Sequence, residues 1–185
     1  MASITLDRAT LAALLIGVFE TTHPFADQWG QTSWQACCKG LKGTHRVDRD
    51  GKDDEHGPYT ASQLGRRAAC AHVAAYTTIQ TAATVAVTVA LGRRIRPRAL
   101  LAAAAVNGLT HLVIDRRRPL LWAADKTGNL GYVQHATVMR RLDKNGKPVI
   151  DEAGPGTALM ELDQAAHRLL GLVAAVVASI AASRD

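Results

Sequence analysis

Four apolar segments, Ala9 to Phe19, Ala68 to Leu91, Ala99 to Ile114 and Leu169 to Ala182, divide the chain, and the stretches between them are polar. Only the second has the roughly 20 apolar residues needed to span a bilayer; the others reach that length by borrowing polar flanks such as Thr157 to Arg168. Ala99 to Val106 and Leu169 to Ala182 are apolar all round, and a small soluble bundle cannot bury every face of several helices. Hydrophobic residues make up 48% of the chain but aromatic ones only 4%. Alanine, valine and leucine therefore carry the apolar character, which suits close helix packing better than a β-sandwich. The expected fold is all-α, a transmembrane four-helix bundle forming one domain over residues 1–185. The first apolar run is expected to be retained, because Asp7 offsets the lone Arg8 before it and no A-x-A cleavage site follows.

The sequence also repeats itself. Thr22-His23-Pro24-Phe25-Ala26-Asp27 returns as Thr110-His111-Leu112-Val113-Ile114-Asp115, and the stretch Arg46 to Lys52 is paralleled by Arg141 to Lys147. Gly57-Pro58-Tyr59-Thr60 is likewise echoed by Gly154-Pro155-Gly156-Thr157. The Asp-Gly and Asn-Gly pairs are turn signals for β-hairpins. The second is the better candidate, because β-prone residues from Tyr132 to Leu142 and Pro148 to Ile150 flank it. The chain thus reads as a duplicated helix, hairpin, helix unit, about 9–91 and about 99–182, with both hairpin-like loops on one side of the bundle.

Histidine and aspartate four apart stack on one helical face. The chain has three such pairs: His23 with Asp27, His111 with Asp115, and Asp163 with His167. Alternating helices put all three, together with His72, at the hairpin side. Pro24 is expected to end or kink the first helix at His23 and to open another carrying Asp27 and Gln31 one turn apart. Along the second segment His72, Tyr76 and Gln80 share a face, and Thr77, Thr81, Thr84 and Thr88 form a neighbouring small-residue stripe. Trp29 and Trp34 read as interfacial anchors.

The predicted site is a divalent metal centre of zinc, manganese or iron held by His23, Asp27, His72, His111, Asp115, Asp163 and His167, with Gln31, Asn107 and Gln164 behind them. Asp27, Asp115 and Asp163 are the candidate catalytic carboxylates. Such a centre lowers the pKa of a bound water and polarises a phosphoryl or acyl oxygen. The competing reading makes the same pairs helix caps or interhelical polar contacts. Glu20 is a spare carboxylate, whereas His45, His56 and His135 fall in polar loops. There is no G-x-S-x-G elbow, Walker loop, H-E-x-x-H or adjacent His-Asp dipeptide, and the acidic loops fail EF-hand spacing. Cys37, Cys38 and Cys70 form neither a disulfide framework nor a C-x-x-C knuckle.

Taken in order, His23-Pro24-Phe25-Ala26-Asp27 with Gln31, then Lys39, His72, His111-Leu112-Val113-Ile114-Asp115 and Asp163-Gln164-Ala165-Ala166-His167 resemble an uncharacterised family. It comprises small bacterial and phage membrane proteins and is catalogued as domain of unknown function 3307. The resemblance implies a membrane fold and lends no activity. This chain departs from it in shorter, alanine-rich apolar segments and in long charged loops.

The functional expectation is a metal-dependent hydrolase or transferase in the cell membrane, acting on a phosphate-bearing or amphiphilic substrate. The alternatives are a non-catalytic membrane protein with a structural, lysis or envelope role, and a soluble cytoplasmic, oligomeric metal-dependent phosphohydrolase. The net charge of +6 is spread between apolar runs, which fits lipid head groups as partners rather than a specific nucleic acid. Most Lys and Arg residues lie on the hairpin side, which the positive-inside rule places in the cytoplasm.

Overall fold

In a computed structural model, residues 4–5 and 7–182 are described. Four long helices carry the fold. Helix α1 (Arg8–Pro24) runs on through a π-helical turn (Phe25–Trp29), and a short α2 (Ser33–Cys38) follows. Helices α3 (Ala61–Ala90) and α4 (Pro97–Asp115) come next, then two short helices, α5 (Arg118–Lys126) and α6 (Leu130–His135), and finally α7 (Ala158–Ala182). Three two-stranded pairings complete it: β1 (Ile4–Thr5) with β4 (Arg93–Arg94), β2 (Arg46–Val47) with β3 (Tyr59–Thr60), and β5 (Val138–Leu142) with β6 (Pro148–Asp151).

Around the bundle the order is α1, α3, α4, α7, each helix packing against two neighbours. The shared core is Leu11, Leu15, Val18 and Phe19 of α1 against Ala103, Ala174, Ala175 and Ala178, small side chains that let α4 and α7 approach closely. The larger apolar side chains point the other way: Val89, Leu101, Leu109, Val113, Leu169 and Val176 are exposed. All four long helical runs are long and apolar enough to cross a membrane, yet only 22% to 33% of each apolar window is buried within the chain. A bundle that is polar or small inside and apolar outside has the polarity a bilayer requires. Trp29 is 83% exposed and stacks against Phe25 at the hairpin end of α1, as an interfacial anchor would. Trp34 instead turns inward and donates to the Arg49 carbonyl at 2.9 Å.

Capping accounts for the helix starts. Asp7 caps α1, while Thr32 with Gln35 and Thr60 with Gln63 form capping boxes at α2 and α3. Pro97 opens α4, where its missing N–H costs nothing. The two loops repeat at atomic detail. The Asp48 carboxylate accepts from the N–H of Asp50 and Lys52 at 2.8 and 2.9 Å, and that of Asp143 from Asn145 and Lys147, both at 2.8 Å. In each turn the glycine has positive φ, 86° at Gly51 and 77° at Gly146.

Two expectations change. Pro24 does not end the helix: the chain passes through it and absorbs the missing N–H by widening to a π-turn, with Gly30 N–H donating to the Phe25 carbonyl at 2.9 Å. Gln31 therefore falls beyond the helix, not one turn after Asp27 on it. Both loops are hairpin-like as expected: the first closes a tight turn with a bridge between Val47 and Asp53 before β2 pairs with β3 across the whole loop, and the second builds the β5–β6 ladder directly on its turn. The β-prone run from Tyr132 begins as helix α6, because Val133 is buried against Ala124 and Leu159.

Candidate metal centre

The His/Asp pairs converge, with His23 in the last turn of α1 and His111 and Asp115 at the end of α4 as expected, whereas the other two histidines do not open their helices. His72 lies about three turns into α3 and His167 more than two turns into α7. The first turns of α3 pack with α2 and β2 around Cys38, Val47 and Leu64, and those of α7 pack with α5 and α6. These elements roof the polar cluster on the hairpin side.

Four buried atoms form its centre: Asp27 Oδ1, His72 Nε2, His111 Nε2 and Asp115 Oδ2. His72 Nε2 lies 3.0 Å from both Asp27 Oδ1 and His111 Nε2, and 3.4 Å from Asp115 Oδ2. His111 Nε2 lies 3.4 Å from Asp27 Oδ1 and 3.5 Å from Asp115 Oδ2. The sixth separation is within 4.8 Å. A regular tetrahedron with edges of about 3.3 Å has its centre about 2.0 Å from each corner, the length of a zinc to nitrogen or oxygen bond. The group could hold a metal ion, and two carboxylates with two neutral imidazoles would balance a divalent charge. Asp115 Oδ2 is buried with no hydrogen-bond partner, as are His72 Nδ1, His111 Nδ1 and His167 Nε2. An orphan buried acceptor such as Asp115 Oδ2 is costly unless something unseen by protein contacts alone satisfies it, whereas the two Nδ1 atoms carry the ring proton when Nε2 is the ligand atom.

Asp115 also belongs to a second group with Asp163 and His167. His167 Nε2 is 3.5 Å from Asp163 Oδ2 and 3.9 Å from Asp115 Oδ1. The His111 ring is fixed between Tyr76, with centroids 4.0 Å apart, and His167, at 3.9 Å. Lys39, at the end of α2, places Nζ 3.0 Å from Asp115 Oδ1 and 3.8 Å from Asp27 Oδ1. Arg116 holds this lysine's backbone in place, donating to the carbonyls of Lys39 at 2.8 Å and Leu41 at 2.9 Å.

His23 stands one tier back, with both ring nitrogens used by the protein. The Tyr76 hydroxyl lies 3.1 Å from His23 Nδ1, and it also receives Gln80 Nε2 at 3.3 Å and Asn107 Nδ2 at 3.4 Å. Both amides are donors, so the single hydroxyl proton goes to His23 Nδ1. His23 Nε2–H then donates to Gln164 Oε1 at 3.1 Å, and Gln164 Nε2 donates to Asp27 Oδ2 at 2.7 Å. The chain of bonds runs one way, from Gln80 and Asn107 through Tyr76, His23 and Gln164 to Asp27, and leaves Asp27 Oδ1 facing the centre.

Of the residues expected to bind metal, Asp27, His72, His111 and Asp115 thus form one set; Asp163 and His167 flank it, and His23 supports it. Asn107 and Gln164 join the supporting layer, whereas the Gln31 side chain lines a nearby cavity with Oε1 buried and unpartnered. Glu20 is diverted into an ion pair with Arg168 at 3.2 Å. Sequence reasoning found no role for Tyr76, Gln80, Arg116 or Arg117 and had Lys39 only through the family resemblance. The common face of His72, Tyr76 and Gln80 was the one local signal.

A cavity of about 500 Å³ reaches this cluster from the hairpin side, bounded by Asp27, Lys39, Asp115, Asp163 and Gln164 within and by Arg117 and Gly154-Pro155-Gly156 at the rim. A larger groove of about 860 Å³, between α3 and α4, is lined by Val73, Thr77, Ala104, Leu109 and Leu112 and holds none of the cluster. No family model, curated protein or solved structure matches the chain.

Proposed function

We propose that this chain is an integral-membrane, metal-dependent hydrolase or transferase acting on a phosphate-bearing or amphiphilic substrate at the hairpin side of the bundle. The observation that carries the reading is the close-packed set of Asp27, His72, His111 and Asp115, with its orphaned Asp115 oxygen, two of whose members, Asp27 and Asp115, line a cavity on the hairpin side. Zinc, manganese or iron suits two imidazoles and two carboxylates. When bound, the ion supplies Lewis acidity and an acidified water. The protein's own groups do the rest. Gln164 orients Asp27, Tyr76 and His167 hold the His111 ring, and Lys39 offsets carboxylate charge. Asp163, on the cavity wall, is placed to accept a proton from an attacking water. The Lys and Arg excess on the hairpin side favours a cytoplasmic site.

Elemental analysis of protein purified in detergent tests the reading. The expected result is about one divalent ion per chain, lost in His111→Ala and Asp115→Asn, together with metal-dependent phosphate release from at least one member of a panel of phosphate esters. A second reading, in which the same residues only hold helices together, draws on the 3.0 Å pair of Lys39 with Asp115. Wild-type protein that takes up no metal and folds as well as ever would establish that second reading.

A further inference from the structure

The cavity beside the donor set has two cations on its wall, Lys39 and Arg117, and they are held differently. Lys39 directs its ammonium at Asp115 and Asp27, 3.0 and 3.8 Å away, which leaves one of its three protons uncommitted. Arg117 is the middle of three consecutive arginines, each in its own environment. Arg116 is spent on the carbonyls of Lys39 and Leu41, and Arg118 opens α5 as an exposed residue. The Arg117 side chain makes no hydrogen bond or ion pair among the described residues, though it is half-buried and lines the cavity. Its guanidinium lies over Gly40, next to Lys39: a methyl group on Gly40 would come within 3.6 Å of Arg117 Nε and Cζ.

The backbone at Arg117 is also unusual. Its φ is 58°, the one positive value at a non-glycine residue among the described residues, and Arg118 N–H closes a γ-turn onto the Arg116 carbonyl at 2.6 Å. Glycine takes such a conformation without strain, whereas arginine does not. Opposite, the rim formed by Gly154-Pro155-Gly156 carries little side-chain bulk and is fixed by Arg140, which pairs with Asp151 at 2.9 Å and donates to the Pro155 carbonyl. Asp27 and Asp115 balance a divalent ion, so Lys39 and Arg117 remain as two positive charges alongside the further carboxylates of Asp163 and Glu161, and of the two cations only Arg117 is without an ion pair among the described residues.

We infer that Arg117 and Lys39 form the binding subsite for the phosphate group of the substrate, Arg117 as a planar fork on two phosphate oxygens and Lys39 as a point charge between that phosphate and the metal-binding carboxylates. The inference rests on the proposed function and narrows it: the substrate enters from the hairpin side phosphate first. A lipid head group and a water-soluble phosphate ester share that chemistry.

The test uses the full chain in phosphatidylcholine nanodiscs, with metal content measured on each sample. Binding of radiolabelled inorganic phosphate is compared for wild type, Arg117→Gly and Arg117→Lys. Glycine at position 117 removes the fork and suits the φ of 58°. The expected result is that Arg117→Gly weakens phosphate binding about tenfold or more, Arg117→Lys by less, and neither changes metal content. Displacement by short-chain phosphatidic acid far more readily than by glycerol phosphate identifies a lipid head group as the source; equal displacement identifies a soluble ester. Phosphate bound equally by wild type and Arg117→Gly, or not bound by metal-loaded wild type, overturns the subsite while leaving the metal centre standing. A wild-type sample without metal overturns the proposed function itself, and Arg117-dependent phosphate binding in that sample would still support the subsite.

Discussion

Replacing Tyr76 by Phe removes one oxygen and keeps the ring that lies 4.0 Å from His111, so it isolates the hydrogen-bond chain behind Asp27. Three contacts disappear. Those from Gln80 and Asn107, at 3.3 and 3.4 Å, are long and weak, and Gln80 Nε2 keeps the Phe19 carbonyl at 3.4 Å. The 3.1 Å bond to His23 matters most, because it fixes which His23 nitrogen carries the proton. Without it His23 Nδ1 is a buried acceptor with no partner, at a cost of about 1–3 kcal/mol. The histidine can then change tautomer, and Gln164 can turn its carbonyl toward Asp27 Oδ2, 2.7 Å from where its amide nitrogen now sits. Outer-layer losses of this kind reduce metal affinity by about 10- to 100-fold. The lower end applies here, because Gln164 still touches Asp27 in one of its two orientations. Competition with a chromogenic chelator should show about a tenfold weaker metal affinity for Tyr76→Phe and a comparable loss for Gln164→Ala. The double variant should lose little more, since both act through one chain. Affinity within twofold of wild type in Tyr76→Phe, or fully additive losses in the double variant, would refute a relay that orients Asp27.

Other consequences can be checked separately. A methyl group at Gly65 would collide with the Leu41 carbonyl and come within 2.6 Å of an Arg116 nitrogen, so Gly65→Ala should destabilise the fold by about 1–3 kcal/mol in detergent unfolding; an unchanged transition would contradict the clamp on the end of α2. The Asp151 carboxyl is held below its usual range chiefly by the Ala153 N–H, then by Gly154 and Arg140. Its stabilisation of the β5–β6 hairpin is therefore present above the unfolded value of about 3.9 and lost as pH falls through the lower folded value. An NMR titration with a midpoint at or above the ordinary value would overturn this. A cysteine at Asn145 should resist a membrane-impermeant thiol reagent in intact cells, and labelling there would place the hairpin side outside.

Local chemistry was legible and distant chemistry was not. The i, i+4 spacing of His111 and Asp115 is a property of any helix, so sequence alone could put them on one face, and the Asp48 and Asp143 turns follow from short-range hydrogen bonds. The contact of Arg116 with Lys39 joins residues 77 apart, and no local pattern announces it. The roof was invisible for a related reason. Val133 favours strands in isolation, and only its burial against Ala124 and Leu159 makes Leu130–His135 helical. Pro24 misled because a helix break is the usual remedy for its missing N–H, and a π-turn is the rarer one.

The repeated spacings relate the two halves of the site to each other. Asp48 and Asp143 are 95 residues apart, and the same interval relates His72 to His167, while 88 relates His23 and Asp27 to His111 and Asp115. A two-fold relation of α1 to α4 and of α3 to α7 matches the packing order of the bundle. The metal set takes Asp27 and Asp115, which correspond, but His72 and His111, which do not. The counterparts of that histidine pair are His167 and His23, and His23 is withdrawn into the bonds with Tyr76 and Gln164. What differs between the halves lies 95 residues apart as well: Ala68 and Ala69 in the first, Asp163 and Gln164 in the second. Ala68 packs tightly with Cys38, Val47 and Leu64 and closes its half. Asp163 and Gln164 instead line the cavity, and Gln164 turns His23 from a ligand into a support. The two halves of the cluster therefore differ at Ala68 and Ala69 against Asp163 and Gln164, and the cavity that reaches Asp27 and Asp115 is lined by the second pair.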